Sequence, residues 1–447
     1  MNPSFHIIDF VIVGIYAILL VGVGLWVSRT KKGHTKTAED YFLASKALPW
    51  WAIGSSLIAA NISAEQFIGM SGSGFAGGLA IASYEFMAAL TLIIVGKFFL
   101  PIFIKQGIYT IPEFVEKRFS TNLKTILAVF WIALFVFVNL TSVLFLGGKA
   151  IDTIVGVGDG SMIVPAIIAL AIFAAAYSLY GGLSAVAWTD VIQVALLVIG
   201  GIITTLIALH YVTPDGGILN GISHIADAAS DKFDMVLSRD NKEFNNLPGI
   251  YVLIGGLWVA NLYYWGFNQY IIQRTLAAKS LTEAQRGIAF AAFLKMLIPF
   301  IVVIPGIVAW VMYSEDLYGA RSAFEIAGST ALNNDNAYPW LISTFIPVGV
   351  KGLVLAALAA AIVSSLASML NSTSTIFTMD IYKPYINREA SQTKLVNVGR
   401  LTAGIALIIA VCLAPLLGGI DQMFQYIQEY TGLVSPGILA VFLMGLF

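Results

Sequence analysis

Eleven apolar runs, each long enough to cross a bilayer, dominate the chain: about 8–28, 50–74, 79–104, 123–150, 162–180, 185–212, 248–271, 287–313, 347–378, 396–418 and 423–447. A spanning helix needs about 20 consecutive apolar residues. Lipid offers the backbone no hydrogen-bond partner, so such runs must become helices. The sequence therefore predicts an all-α membrane protein, a single polytopic domain surrounded by lipid. Composition agrees, with 58% hydrophobic and 11% charged residues against roughly 45–50% apolar and 25% charged in soluble domains. A net charge of −1 gives no footprint for nucleic acid.

The placement of the basic residues predicts orientation. Of 24 Lys and Arg, 17 fall between Arg29 and Lys46, Lys97 and Lys124, Arg274 and Arg286, and Lys383 and Arg400. Cytoplasmic loops carry the excess of Lys and Arg, which puts the N-terminus outside and Phe447 inside. The first run has Arg29, Lys31 and Lys32 after it and no basic residue before it, the reverse of a signal peptide. A single Cys412 and four scattered histidines, His6, His34, His210 and His224, offer neither a disulfide nor zinc-ligand spacing. No organic cofactor is expected. An intramembrane enzyme is disfavoured too, because no nucleophile stands beside a base.

Polar residues at bilayer depth mark function by default. Asn61, Ser63, Glu65, Gln66 and Glu85 lie within the second and third runs, and Lys295 lies within the eighth. Glu85 and Lys295 are each isolated in an apolar span, where they would neutralise one another across a pocket or form a structural ion pair. No Arg is expected deep in any span. Interrupted helices at matching places in two halves point to an inverted-repeat transporter. The pair Ala60-Asn61-Ile62-Ser63-Ala64-Glu65-Gln66 and Ala260-Asn261-Leu262-Tyr263-Tyr264-Trp265-Gly266 has that placement, five spans apart. The division expected is 1–48 as an extra N-terminal helix with a cytoplasmic loop, 49–212 as the first five-helix repeat, 213–247 as an outer loop, and 248–447 as the second repeat. The two outer loops, 212–248 and 313–347, are expected to fold over the entrance.

The segment Asn61 to Met70, the stretch Tyr180-Gly181-Gly182-Leu183-Ser184-Ala185-Val186-Ala187-Trp188-Thr189-Asp190, the segment Trp258 to Trp265 and the run Ser364 to Ser372 together resemble the sodium:solute symporter family. The first and third are similar to its sugar-transporting branch. The resemblance runs over the whole chain and implies a leucine-transporter-type five-plus-five inverted-repeat core. It also implies sodium-coupled symport of a hexose, galactose or glucose, across a bacterial inner membrane, with further helices expected beyond Phe447.

By that resemblance Gln66, Glu85, Asn261, Lys295 and Gln428 would bond sugar hydroxyls, beside Asn61. Tyr264 would stack on the ring as an inner gate, and Met70, Tyr84 and Phe424 would form an outer gate. Where the sugar branch has a serine, three residues after the glutamate, this chain has Ala88, a change that bears on which epimer is preferred. The carbonyls of Ala59, Ile62 and Ala361 and the hydroxyls of Ser364 and Ser365 would cage sodium. Read alone, the small-residue stretch Ala356 to Ser374 fits close helix packing as well as ion binding. Asp190 is expected on the route by which sodium leaves. The alternatives are a sodium symporter for another solute and a membrane solute-sensor domain.

Overall fold

The computed structural model describes residues 5–29, 35–63, 65–155, 159–247, 249–326, 330, 332–418 and 423–446, with backbone alone for 65 and 423–426. Among the described residues the architecture is helical, with two isolated bridges, Leu48 to Ala278 and Glu325 to Leu332. The helices that carry the site follow in chain order: α1 (Ile7–Val27), α2 (Trp50–Asn61), α3 (Ser71–Gly77), α4 (Ser83–Ile94), α5 (Thr141–Val155), α6 (Ile163–Gly181), α7 (Leu183–Tyr211), α8 (Leu257–Phe267), α9 (Gln269–Leu276), α10 (Leu281–Ser314), α11 (Val350–Ile376), α12 (Gln392–Leu413) and α13 (Met423–Leu446).

Ten helical stretches among the described residues are long and apolar enough to cross a membrane. The difference from eleven lies in the run 50–74, which is not one helix. Helix α2 stops at Asn61, and Ile62 turns to an extended ψ of 105°. The chain resumes as a wide helical turn, Glu65–Met70, that runs into α3. Gly78 then takes a φ of +78°, and a Cβ there would lie 2.2 Å from the Lys232 carbonyl oxygen. Only glycine fits that bend, which leads to α4.

The second interruption does not fall where the sequence suggests. Asn261 sits inside unbroken α8, because its amide donates to the Leu257 carbonyl one turn back at 2.9 Å and its oxygen accepts from the Trp265 indole at 3.2 Å. With its polarity satisfied within the helix, it has no reason to break it. The break comes at Asn268, whose ψ of 125° separates α8 from α9.

Helix α11 belongs to the most enclosed span, 94% of whose apolar 18-residue stretch is buried, whereas the matching stretch of α1 is 11% buried and lies on the outside of the bundle. Small residues from Ala356 to Ser374 let neighbouring helices approach α11 closely. Helix α1 is fastened by Asp9, whose Oδ1 accepts from the Gly349 and Gly352 amides at 2.7 and 2.8 Å. Those amides open α11, where a carboxylate also suits the helix dipole. The stretch 212–247 packs on the bundle end: Lys232 donates to the Ala76 carbonyl of α3, and its Nζ stands 4.1 Å over the Trp310 ring of α10. Burial holds the Lys232 ammonium below the usual lysine range.

Candidate functional site

The break after α2 and the faces of α4, α8, α10 and α13 line a central cavity of about 80 Å³, smaller than the 300–1,000 Å³ typical of small-molecule sites. Its lining includes Asn61, Gln66, Met70, Tyr84, Glu85, Ala88, Asn261, Tyr264, Lys295 and Gln428. Residues some 370 positions apart in sequence thus converge on one space. The side chain of Phe424 lies outside the described residues, so the expected outer gate is described at Met70 and Tyr84 alone.

Lys295 donates to Glu85 at the wall of this cavity, with the two side chains 1% and 4% exposed. The ammonium also stands 5.3 Å over the Trp265 ring. It therefore does not reach the bilayer surface, and the pair lies at the wall of the cavity. Gln66 Oε1 accepts from the Ser63 amide at 3.1 Å, which fixes the glutamine across the break. Tyr264 accepts from the Asn61 amide at 2.9 Å and shares a hydrogen bond with the Tyr270 hydroxyl. All three residues of that network line the cavity. Asn261 is committed to Leu257 and Trp265, which leaves one lone pair and one N–H of its amide.

Below the break, α2 meets α11. Ser365 Oγ donates to the Ala60 carbonyl at 3.0 Å and lies 3.5 Å from that of Ala59. These carbonyls end a helix and lack their full intrahelical partners. Ala361 lies one turn before Ser365 and is buried on α11, and Ile62 is the residue at which α2 leaves helical geometry. Ser364 Oγ donates to Asp190 Oδ1 at 2.6 Å. Hydroxyls and carbonyls gathered at an unwound helix are the oxygen ligands a hard monovalent cation takes in membrane transporters.

Asp190 is fully buried and also accepts from Ser56, so it ties α7 to both α2 and α11. Arg274 lies between two spans rather than deep in one, yet it is buried in the bundle. Its side chain is 1% exposed, Nε donates to the Ser56 carbonyl and hydroxyl at 3.0 and 2.7 Å, and Nη2 donates to Ser368 and stands 3.9 Å from Asp190. The break at Asn268 turns α9 back beneath α2 and buries a residue that, in sequence, reads as part of an inner loop.

A model of the Sodium:solute symporter family matches residues 41–447. A sodium/glucose cotransporter from Vibrio parahaemolyticus is 67% identical over 98% of this chain and 80% of its own length. The chain belongs to the sodium:solute symporter family. The symporter is also 32% identical to the mouse sodium/glucose cotransporter 4 and 33% identical to the human sodium/myo-inositol cotransporter. It spans 66% and 63% of those two relatives. A solved Na+-coupled sialic acid symporter, substrate-bound and outward-open, superposes with a TM-score of 0.84 at 26% identity, over 99% of this chain and 88% of that one. The fold is thus the leucine-transporter-type five-plus-five core preceded by one extra helix, and the protein is a multi-pass transporter rather than an enzyme.

The symporter's cavity also holds polar residues that sequence reasoning missed: Asn139, Asn268, Tyr270 and Thr431. Asn139 sits in a wide helical turn, Leu134–Leu140, just before α5. A lone amide in an apolar run was a readable signal there, by the same rule that singled out Gln66.

Proposed function

We propose that this symporter carries a hexose, glucose or galactose, together with sodium into the cell by alternating access. The observation that carries the reading is the convergence of Gln66, Glu85, Lys295, Asn261 and Gln428 on one cavity beside the aromatic ring of Tyr264. A hexose presents several hydroxyls that both donate and accept, plus an apolar ring face, and this set answers each. The names of the Vibrio and mouse relatives, sodium/glucose cotransporters, support the same cargo.

Sodium, the co-substrate, would bind the carbonyls of Ala59, Ile62 and Ala361 and the hydroxyls of Ser364 and Ser365. It would bridge α2 to α11 and so favour the state that accepts sugar. Sugar would close Met70, Tyr84 and Phe424 over itself. Sodium would leave past Asp190, and release of Tyr264 from Asn61 and Tyr270 would open the inner side. One ion crossing about 100 mV down a tenfold gradient supplies about 2.3 plus 1.4 kcal/mol, enough for a sugar gradient of roughly 500-fold. The repeats are read as 49–212 and 248–447, with the N-terminus outside a bacterial inner membrane.

The test is uptake of radiolabelled glucose and galactose into proteoliposomes with and without an inward sodium gradient. Accumulation of either sugar that needs sodium and is lost in Tyr264→Ala and Gln66→Ala supports the reading. Uptake of neither sugar under the gradient would overturn it.

A further inference from the structure

Behind Asp190, away from the sugar cavity, the structure gathers four buried polar atoms with no hydrogen-bond partner: the hydroxyls of Tyr16 and Tyr177 and both amide atoms of Gln193. Tyr177 and Gln193 are wholly buried. Gln193 follows Asp190 by three residues on α7, which places the two on one helix face. It lies within side-chain reach of both tyrosine hydroxyls, and Asp190 is close to both as well. Yet neither hydroxyl makes a bond of ordinary geometry with the amide.

Three elements supply this group: α1 gives Tyr16, α6 gives Tyr177 and α7 gives Gln193. They are packed tightly beside it. A Cβ at Gly24 of α1 would lie 3.0 Å from Tyr177 Cβ and 3.3 Å from Thr189 Cγ2. The neighbouring Thr189 hydroxyl donates to the Ala185 and Val186 carbonyls at 2.9 Å each and keeps its lone pairs for the Tyr177 hydroxyl close by. Buried polar groups that face one another without bonding directly are bridged by ordered water, which takes two to four such partners.

We infer that Tyr16, Tyr177 and Gln193 hold bound water against the rear of Asp190, and that this water eases the departure of sodium from the carboxylate. The inference rests on Asp190 lying on the sodium route. An ion that leaves a buried carboxylate must be replaced by donors, or the charge is left bare. Ser56, Ser364 and Arg274 face Asp190 from α2, α11 and α9. The water behind Gln193 would supply the remaining donors, and it gives the extra N-terminal helix a part in coupling. With that water lost, sodium is held more tightly and released more slowly.

Radiolytic footprinting of the full chain tests the water directly, because hydroxyl radicals from bound water modify the side chain beside it even when it is buried. Tyr16 and Tyr177 should be modified well above the buried rings Phe103 and Phe114, and Tyr16→Phe should reduce the modification of Tyr177. Modification of the tyrosines no greater than that of the two phenylalanines would overturn the inference. In proteoliposomes, Tyr16→Phe and Gln193→Met should each lower the half-saturating sodium concentration threefold or more and lower the maximal uptake rate. Sugar affinity at saturating sodium should stay within twofold. A half-saturating sodium concentration that is unchanged or raised would remove the role in release. If the unsubstituted chain shows no sodium-driven sugar uptake, the transport reading falls instead, and footprinting still decides whether the water is there.

Discussion

Lys295 and Glu85 form an ion pair at the wall of the central cavity, with 1% and 4% side-chain exposure. A pair so deeply buried gains its worth from completeness. Removing one partner leaves an uncompensated charge and costs about 3–5 kcal/mol, whereas replacing both by apolar groups is often neutral. Glu85→Leu and Lys295→Met should therefore each lower the melting temperature in detergent sharply. The double variant Glu85→Leu, Lys295→Met should recover most of that loss and still bind no sugar by calorimetry. Losses that simply add in the double variant would show that the two charges are not coupled.

Ser365 separates an ion site from mere helix packing. Alanine would serve close packing as well as serine does, but it removes the hydroxyl that now donates to the Ala60 carbonyl at 3.0 Å. A lost neutral oxygen contact is worth about 0.5–1.5 kcal/mol. Ser365→Ala should thus raise the half-saturating sodium concentration for sugar uptake roughly 2- to 13-fold, with the maximal rate largely regained at high sodium. An unchanged sodium dependence would assign Ser365 to packing.

The residues legible in the sequence were those whose chemistry conflicts with lipid. Glu85, Gln66 and Lys295 stand out in apolar runs because their burial is costly, and the cavity explains each of them. Gln428 and the serines of α11 were not distinctive alone and drew their assignment from the family resemblance. Arg274 and Asn268 were missed for a tertiary reason. Asn261 looked like the helix breaker because it is polar, yet a helix can satisfy an amide against its own i−4 carbonyl, and this one does. Where the second break falls, and hence that α9 returns Arg274 to within 3.9 Å of Asp190, depends on contacts between helices far apart in sequence.

Ala88 lies on the cavity wall at 2% exposure, one helical turn from Glu85. Ala88→Ser would add a hydroxyl where the present wall has none. If that hydroxyl reaches a sugar hydroxyl, it should tighten binding of one epimer by about 0.5–1.5 kcal/mol, or roughly 2- to 13-fold. The ratio of glucose to galactose affinities should shift accordingly. Competition uptake with the two sugars reads this ratio, and identical ratios in the two proteins would remove Ala88 from the set that selects the epimer.

Lys36, in the loop after α1, donates to the Tyr180 and Gly181 carbonyls at 3.2 and 3.1 Å and so caps the end of α6. Burial, and after it the nearby Arg400, bring its ammonium down from an ordinary 10.5 to about 8. Below about 8 the lysine is charged in both folded and unfolded chains, and above 10.5 it is neutral in both. Between these values the unfolded chain binds the extra proton, so this group makes stability rise with pH across that window. Lys36→Met should remove the contribution. Melting curves from pH 7.5 to 10.5 should show the unsubstituted protein gaining on the variant as pH rises above about 8, whereas a constant difference between the two would mean that Lys36 titrates alike in the folded and unfolded chains.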